Sequence, residues 1–270
     1  MTRLFAPFSA ALFLASCVAS LSAQNAIPAK DGLVDYTQGS VYLGDRPIEP
    51  GNTRFSEWKQ DGIVRTGHGR AEILLGACTA IWIGEQSSLR LLSGNPADAR
   101  VELLQGSAVI AVGATPKGSQ LSIVTRSATV SPGRKGFYRF DMGPPRLKVT
   151  SGNAIARWSG EMVPVGPKHA LALDGAPNVV GFDPRDRDAL DAWSKARSAI
   201  LVRAGNGREQ RMQASRVDAA AAQAAGDQPR PVLDGEYPVI SATTNGPPPP
   251  SPIPDTPRRA LPAGFGLCGW

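Results

Sequence analysis

The stretch QGSVYLG at residues 38–44 comes back as QGSAVIA at 105–111 and, more loosely, as SGNAIAR at 151–157. Each copy is a polar residue, a glycine, a polar residue and then an apolar or alternating run. The copies are unequally spaced, which excludes a strict solenoid of fixed period. The pattern reads instead as similar units of strand, bend and strand, separated by insertions of different length. Glycine is the residue with a physical reason to recur at such a bend, because it tolerates positive φ and close backbone approach. No histidine or other base stands at a partner position, so nothing in the repeat activates a nucleophile.

Outward from these copies, residues 32–182 continue in the same way. Short apolar or alternating runs such as GIVRT, AEILL, TAIWIG, VELLQGSAVIAV and LSIVTRSATV lie between Gly, Pro, Asn and Asp. None sustains a helical apolar period over three turns. The expected fold is mostly β: a stacked β-repeat, sandwich or solenoid-like, over residues 32–182. The period changes at FDPRDRDALDAWSKARSAILVRAG, residues 182–205. Asp183 is a candidate N-cap, Pro184 suits the first helical position and Gly205 a stop. Leu190, Trp193, Ala196, Arg197, Ile200 and Leu201 fall on or near one face. This predicts an amphipathic helix over 183–204 packed on the β body. Residues 205–227 are Ala-rich and suit a marginal helix with little to bury. Residues 228–270 hold eleven of the chain's 24 prolines, including PPPP at 247–250. That composition predicts an extended or disordered tail.

The first 23 residues have one early cation, Arg3, then an apolar run and small residues. That is the layout of a secretory signal peptide. Two cleavage readings stay open. LASC at 14–17 resembles a lipobox, which makes Cys17 a lipidation candidate and the chain lipid-anchored. Ordinary cleavage near Ser22 or Ala23 gives an unanchored protein. Either way the expected compartment is the periplasm or the outer-membrane surface, with no membrane-spanning segment after processing. Oxidising conditions there allow a disulfide between Cys78 and Cys268. There is no C-x-x-C, and His68 and His169 lack partners at ligand spacing, so no metal or other cofactor is expected.

The net charge of +6 comes without a basic stripe interleaved with aromatic residues, which argues against nucleic acid. A local cluster does stand out: Arg126, Arg134, Lys135, Arg139, Arg146 and Lys148, opposed only by Asp141. Arg126, Arg134, Lys135 and Arg139 are therefore a candidate patch for an envelope protein or anionic polymer. The alternative function is a carbohydrate-binding or carbohydrate-active module. Its candidate carboxylates are Glu72, Glu85 and Glu102, and its candidate stacking platform is Trp58, Trp82 and Trp158.

Residues 32–175 resemble the FecR-type periplasmic domain. The resemblance is carried, in order, by QGSV, GIVRTGHGRAEILL, LRLL, VELLQGSAVIAV, LSIVTRSATV, SPGRKGFYRF and VTSGNAIA. FDPRDRDALDAWSKAR is similar to a helix that follows this domain in some exported relatives. The chain departs from the pattern at GRKGFYRF and at LGACTAIWIG, which carries Cys78. The resemblance implies a non-enzymatic, stacked β body. In full-length regulators of this type, a cytoplasmic anti-sigma segment and a membrane helix precede the domain. The periplasmic part receives a signal from an outer-membrane receptor. Here the β body is expected to follow the signal peptide directly, so the anti-sigma role is not carried over. The expected function is a non-enzymatic cell-envelope module for binding, scaffolding or accessory signalling.

Overall fold

The structure, a computed structural model, describes residues 32–226 except 51–55, 77, 115–116, 134 and 159. Its strands are β1 (Gly32–Leu43), β2 (Arg46–Ile48), β3 (Ser56–Trp58), β4 (Ile63–Leu75), β5 (Thr79–Ile83), β6 (Ser88–Ser93), β7 (Ala99–Gln105) and β8 (Ser107–Val112). They continue as β9 (Leu121–Val124), β10 (Thr129–Pro132), β11 (Gly136–Met142), β12 (Pro145–Ser151), β13 (Ala154–Trp158), β14 (Glu161–Val165), β15 (His169–Ala172) and β16 (Val179–Gly181). One helix, α1 (Ala189–Gly226), follows.

All strands belong to one sheet, ordered β14-β13-β10-β9-β7-β6-β4-β5-β8-β11-β12-β15-β16, with β1 beside β4 and flanked by β2 and β3. The sheet doubles over at β4. The first residues of β4, Ile63 to Arg65, pair with β6, whereas Ala71 to Leu75 pair with β5. One half of β4 thus belongs to a layer with β6, β7, β9, β10, β13 and β14. The other half belongs to a layer with β5, β8, β11, β12, β15 and β16. This is the mostly β, sandwich-like, repeatedly wound body that the sequence predicts.

The three motif glycines mark where the chain changes layer. Gly39 bends β1, Gly106 joins β7 to β8, and Gly152 joins β12 to β13. All three have positive φ, at 70°, 81° and 83°. Added Cβ atoms would meet backbone: the His68 carbonyl at Gly39, Ser87 Cα 2.5 Å away at Gly106, and the Lys135 carbonyl at Gly152. Strands that switch layers need such bends. A Cβ-bearing residue would be strained by φ and blocked by the opposite chain at once.

The interior between the layers is filled by alternate residues of both. Trp58, Ile73, Ile81, Leu89, Leu103, Ile110, Ile123, Tyr138 and Phe140 are all buried there. A second apolar cluster lies on the outer face of the β5–β8 layer, where Leu33, Leu74, Ala80, Trp82, Val109 and Ala111 meet Leu190 and Leu201 of α1. Covering by α1 explains why TAIWI is buried at every position and does not alternate.

The helix differs from its sequence reading at both ends. It starts at Ala189, capped by Asp188, whose Oδ1 accepts from the Asp191 backbone N–H at 2.9 Å. Asp183 instead accepts from the Arg185 N–H at 2.9 Å in a turn of its own. At the other end the helix runs through Gly205, which is buried rather than terminal. Its packed face is also narrower than the apolar residues suggest. Ser194 and Ser198 are buried beside Leu190 and Leu201, while Ile200 is exposed. Both serines donate to the backbone three residues back, so small side chains let the helix sit close to the sheet without unpaired hydroxyls.

Candidate functional site

Two reciprocal charge clusters clamp α1 to the sheet. In the first, Glu72 of β4 is fully buried and accepts three hydrogen bonds. Arg197 of α1 donates from Nε to Oε2 at 3.0 Å and from Nη2 to Oε1 at 2.8 Å, and the Trp82 indole donates to Oε2 at 2.7 Å. Asp35 lies 4.0 Å from the same guanidinium, which also stacks 4.0 Å from the Tyr36 ring centroid. Burial disfavours the Arg197 charge, but the Glu72 hydrogen bonds outweigh it and raise its pKa. In the second cluster the cation is on the sheet. Arg139 of β11 contacts Asp188 at 2.6 Å and Asp191 at 3.0 Å, both at the start of α1. It also holds Asp141 at 2.9 Å, and Asp141 accepts from Ser107 Oγ at 2.6 Å. Burial again opposes the charge, while hydrogen bonds to Asp188 and Asp141 win and raise the Arg139 pKa. Asp188 is pushed up by its partial burial but pulled further down by the Arg139 hydrogen bond, so its pKa is lowered.

These clusters account for several residues singled out in the sequence. Arg139 is buried under α1 and cannot face a polymer. Arg126 and Lys135 are exposed, but they lie before and after β10, at opposite ends of that strand. Arg134 lies outside the described residues. Arg126 and Lys135 are therefore not joined through Arg139 into one patch. Arg139 stands on the outer face of β11, between inward-facing Tyr138 and Phe140, and that face is the one the helix covers. The three carboxylates do not converge either. Glu72 pairs with Arg197, Glu85 with His68 at 3.7 Å, and Glu102 with Arg90 at 3.3 Å. Trp58 and Trp82 are fully buried, their indoles donating to the Gly62 carbonyl and to Glu72, so the three tryptophans form no platform. Cys78 is disulfide-bonded. Cys17 and Cys268 lie outside the described residues. Among the described residues no group of His, Cys, Asp and Glu could hold a metal ion, and no helix is long and apolar enough to cross a membrane.

The candidate site lies along the fold's glycine-marked corner. A cleft of about 290 Å³ opens there, lined by Tyr42, Arg65, Gln86, Ser88 and Gln105, with Thr66, Gly67 and Ser87 as its wall. Strand register explains the lining. Tyr42 pairs with Arg65, Arg65 with Ser88, and Ser88 with Gln105. Directly paired residues share a face, so these four side chains stand in one row across β1, β4, β6 and β7. Tyr42 comes from the first motif copy and Gln105 from the second. The wall is fixed by internal bonds. Ser87 N–H donates to Thr66 Oγ1 at 3.0 Å, Ser107 N–H donates to Ser87 Oγ at 2.9 Å, and Thr66 Oγ1 donates to the Gly84 carbonyl. Sequence reasoning missed this row, because its members are far apart and none carries a recognisable motif role.

A second surface feature is the open edge of the sandwich. Among the described residues, β14 and β16 end the sheet, each paired on one side only. Ile155, Met162, Val179 and Val180 are large apolar residues left exposed on or next to these two strands.

The FecR protein family matches residues 62–154, from just before β4 to the start of β13. The FecR-type resemblance read from the motifs thus holds over this stretch. No curated protein matches the chain. Two crystal structures of a proposed anti-sigma factor from Parabacteroides distasonis are similar to it, at 16% and 15% identity and TM-scores of 0.41. The similarity covers 46% of this chain and 61% of those chains, so it spans less than two thirds of their length.

Proposed function

We propose that this FecR-domain chain is a non-enzymatic accessory module of the cell envelope that binds another protein through the open edge of its sandwich. The observation that carries the reading is the presence of exposed apolar side chains on the two end strands, β14 and β16, and on β13 beside β14, in a chain whose residues 62–154 match the FecR family. An edge strand presents unpaired N–H and C=O groups, and exposed Met162, Ile155 and Val180 add apolar area beside them. The partner that fits is an extended protein strand that continues the ladder. An anionic polymer is less favoured, because Arg139 is spent on α1.

The signal-peptide reading of the first 23 residues fits the same proposal. The signal-like residues 1–23 would deliver the chain to the periplasm or the outer-membrane surface, with or without a lipid on Cys17. Intact mass of the exported protein distinguishes a lipidated Cys17 from cleavage near Ala23. The function is tested by crosslinking the mature protein in its own envelope and recovering its partners. Met162→Asp and Val180→Asp, each on an exposed site, should abolish the crosslinked protein while leaving the melting temperature unchanged. Recovery of the same partner with both variants would overturn the edge-docking reading.

A further inference from the structure

We propose that the corner cleft is a saccharide-binding site, specific for a neutral, hydroxyl-rich ligand of one or two rings. This site is separate from the edge-docking surface, and either can fail without the other. The first argument is unspent hydrogen-bonding capacity. The hydroxyls of Tyr42 and Ser88 and the amides of Gln86 and Gln105 line the cleft and form no side-chain hydrogen bond among the described residues, which leaves their donors and acceptors for a ligand. Hydroxyls and primary amides both donate and accept, which matches the dual character of a sugar hydroxyl.

Charge and backbone narrow the class further. Arg65, the cation of the cleft, already donates to the Gly44 carbonyl at 2.9 Å and to Asp45 at 3.3 Å, and it lies 5.7 Å from the Tyr42 ring centroid. With its charge countered, it selects less for an anion than for a polar ligand lying over the Arg65–Tyr42 stack. An extended peptide is disfavoured because the strands beneath the row are paired with one another. β4 has β1 on one side and β6 on the other at Arg65, and β6 has β4 and β7 at Ser88. There is no free ladder in the cleft for a peptide backbone to join, so recognition falls to side chains. At the usual strand spacing the row from Tyr42 to Gln105 spans about 14 Å. A cleft of about 290 Å³ is at the small end for a ligand site, which limits it to one or two rings.

Backbone strain is placed where such a site would use it. Gln86 has φ 50°, a conformation that favours glycine, and its N–H is held by the Gly67 carbonyl at 3.0 Å. A non-glycine residue kept in that region at a cleft rim is the kind of strain that accompanies binding function. The Thr66–Ser87–Ser107 bonds keep the wall beneath it in place, so the side chains are presented on a rigid frame and less ordering is needed on binding.

Titration calorimetry of the full chain with three probes, chitobiose, cellobiose and maltose, tests the proposal. At least one should bind with a Kd of about 1 mM or tighter. Gln105→Ala should weaken that binding by about tenfold, the loss of one well-placed polar contact. Gln86→Gly is the second variant: it removes the amide and relieves the positive φ. It should weaken binding to a similar degree while keeping or raising the melting temperature. Arg126→Ala, outside the cleft, should leave affinity unchanged. The proposal is overturned if none of the three probes binds, or if binding persists at full affinity in both Gln105→Ala and Gln86→Gly.

Discussion

Replacing Arg197 with methionine isolates what the first charge cluster does. The methionine keeps an unbranched apolar stem against Tyr36 and removes the guanidinium. Glu72 would then remain fully buried, keeping the Trp82 hydrogen bond but losing both bonds to Arg197, at 2.8 and 3.0 Å. Breaking one side of a buried pair costs about 3–5 kcal/mol. One route to relief is to release α1 so that water reaches Glu72. That route exposes Leu190 and Leu201 on the helix and Trp82, Leu74 and Ala80 on the sheet. Fully exposing a leucine costs about 1.5–3 kcal/mol, so undocking is of the same order as keeping the charge buried. The variant should therefore lose about 3 kcal/mol in urea unfolding and release α1 before the β body opens. Trp82 reports the first step through a fluorescence shift at urea concentrations where the far-ultraviolet β signal is still native. Glu72→Gln combined with Arg197→Met should recover much of the loss, since no unpaired charge remains buried. A cost below about 1 kcal/mol for Arg197→Met alone, the range of a surface pair, would refute the reasoning.

Three further outcomes follow from other parts of the fold. The lowered pKa of Asp188 contributes stability above its ordinary value of 3.8, and this is lost as pH falls through the lower folded value. Helix docking should weaken below about pH 4, and Asp188→Asn should flatten the fall in melting temperature over that window; an identical fall in the variant refutes the link. Gly106→Ala meets both positive φ and Ser87 Cα at 2.5 Å, so it should cost about 2–5 kcal/mol. Gly44→Ala, at φ 61° in open space, should cost only about 1–2 kcal/mol; equal urea midpoints for the two would remove the layer-crossing account of the motif. Finally, non-reducing peptide mapping of the exported protein should recover Cys78 joined to Cys268, tying the tail to the β4–β5 turn. Linkage of Cys78 to Cys17, or to a second chain, refutes that pairing.

What could be read in advance depended on how local its cause is. The glycines at 39, 106 and 152 were legible because a bend acts on the residue that makes it, and all three have positive φ. The helix was legible as an element, since its apolar spacing is local. Its start was not, because Asp183 and Asp188 are both plausible caps and the choice is made by Arg139, which reaches Asp188 from 49 residues away. The same distance misled the charge reading. Arg139 looks like part of a basic run until the helix that covers its face is in place. A weaker signal was available. Glu72 stands inside the apolar run AEILL, and Arg197 stands among the apolar positions of the helix, so both are opposite charges at sites that otherwise predict burial. Charges in such positions require partners. Two unexplained ones of opposite sign on neighbouring elements identify each other, although they are 125 residues apart. No comparable signal marks the cleft. Tyr42, Arg65, Ser88 and Gln105 are ordinary surface residues singly, and only the register of four strands sets them in a row. In a fold whose chain changes layer at each motif glycine, a binding surface is assembled from single residues of several windings. The motif can therefore locate the corner where such a surface forms, while the residues beside it determine what it binds.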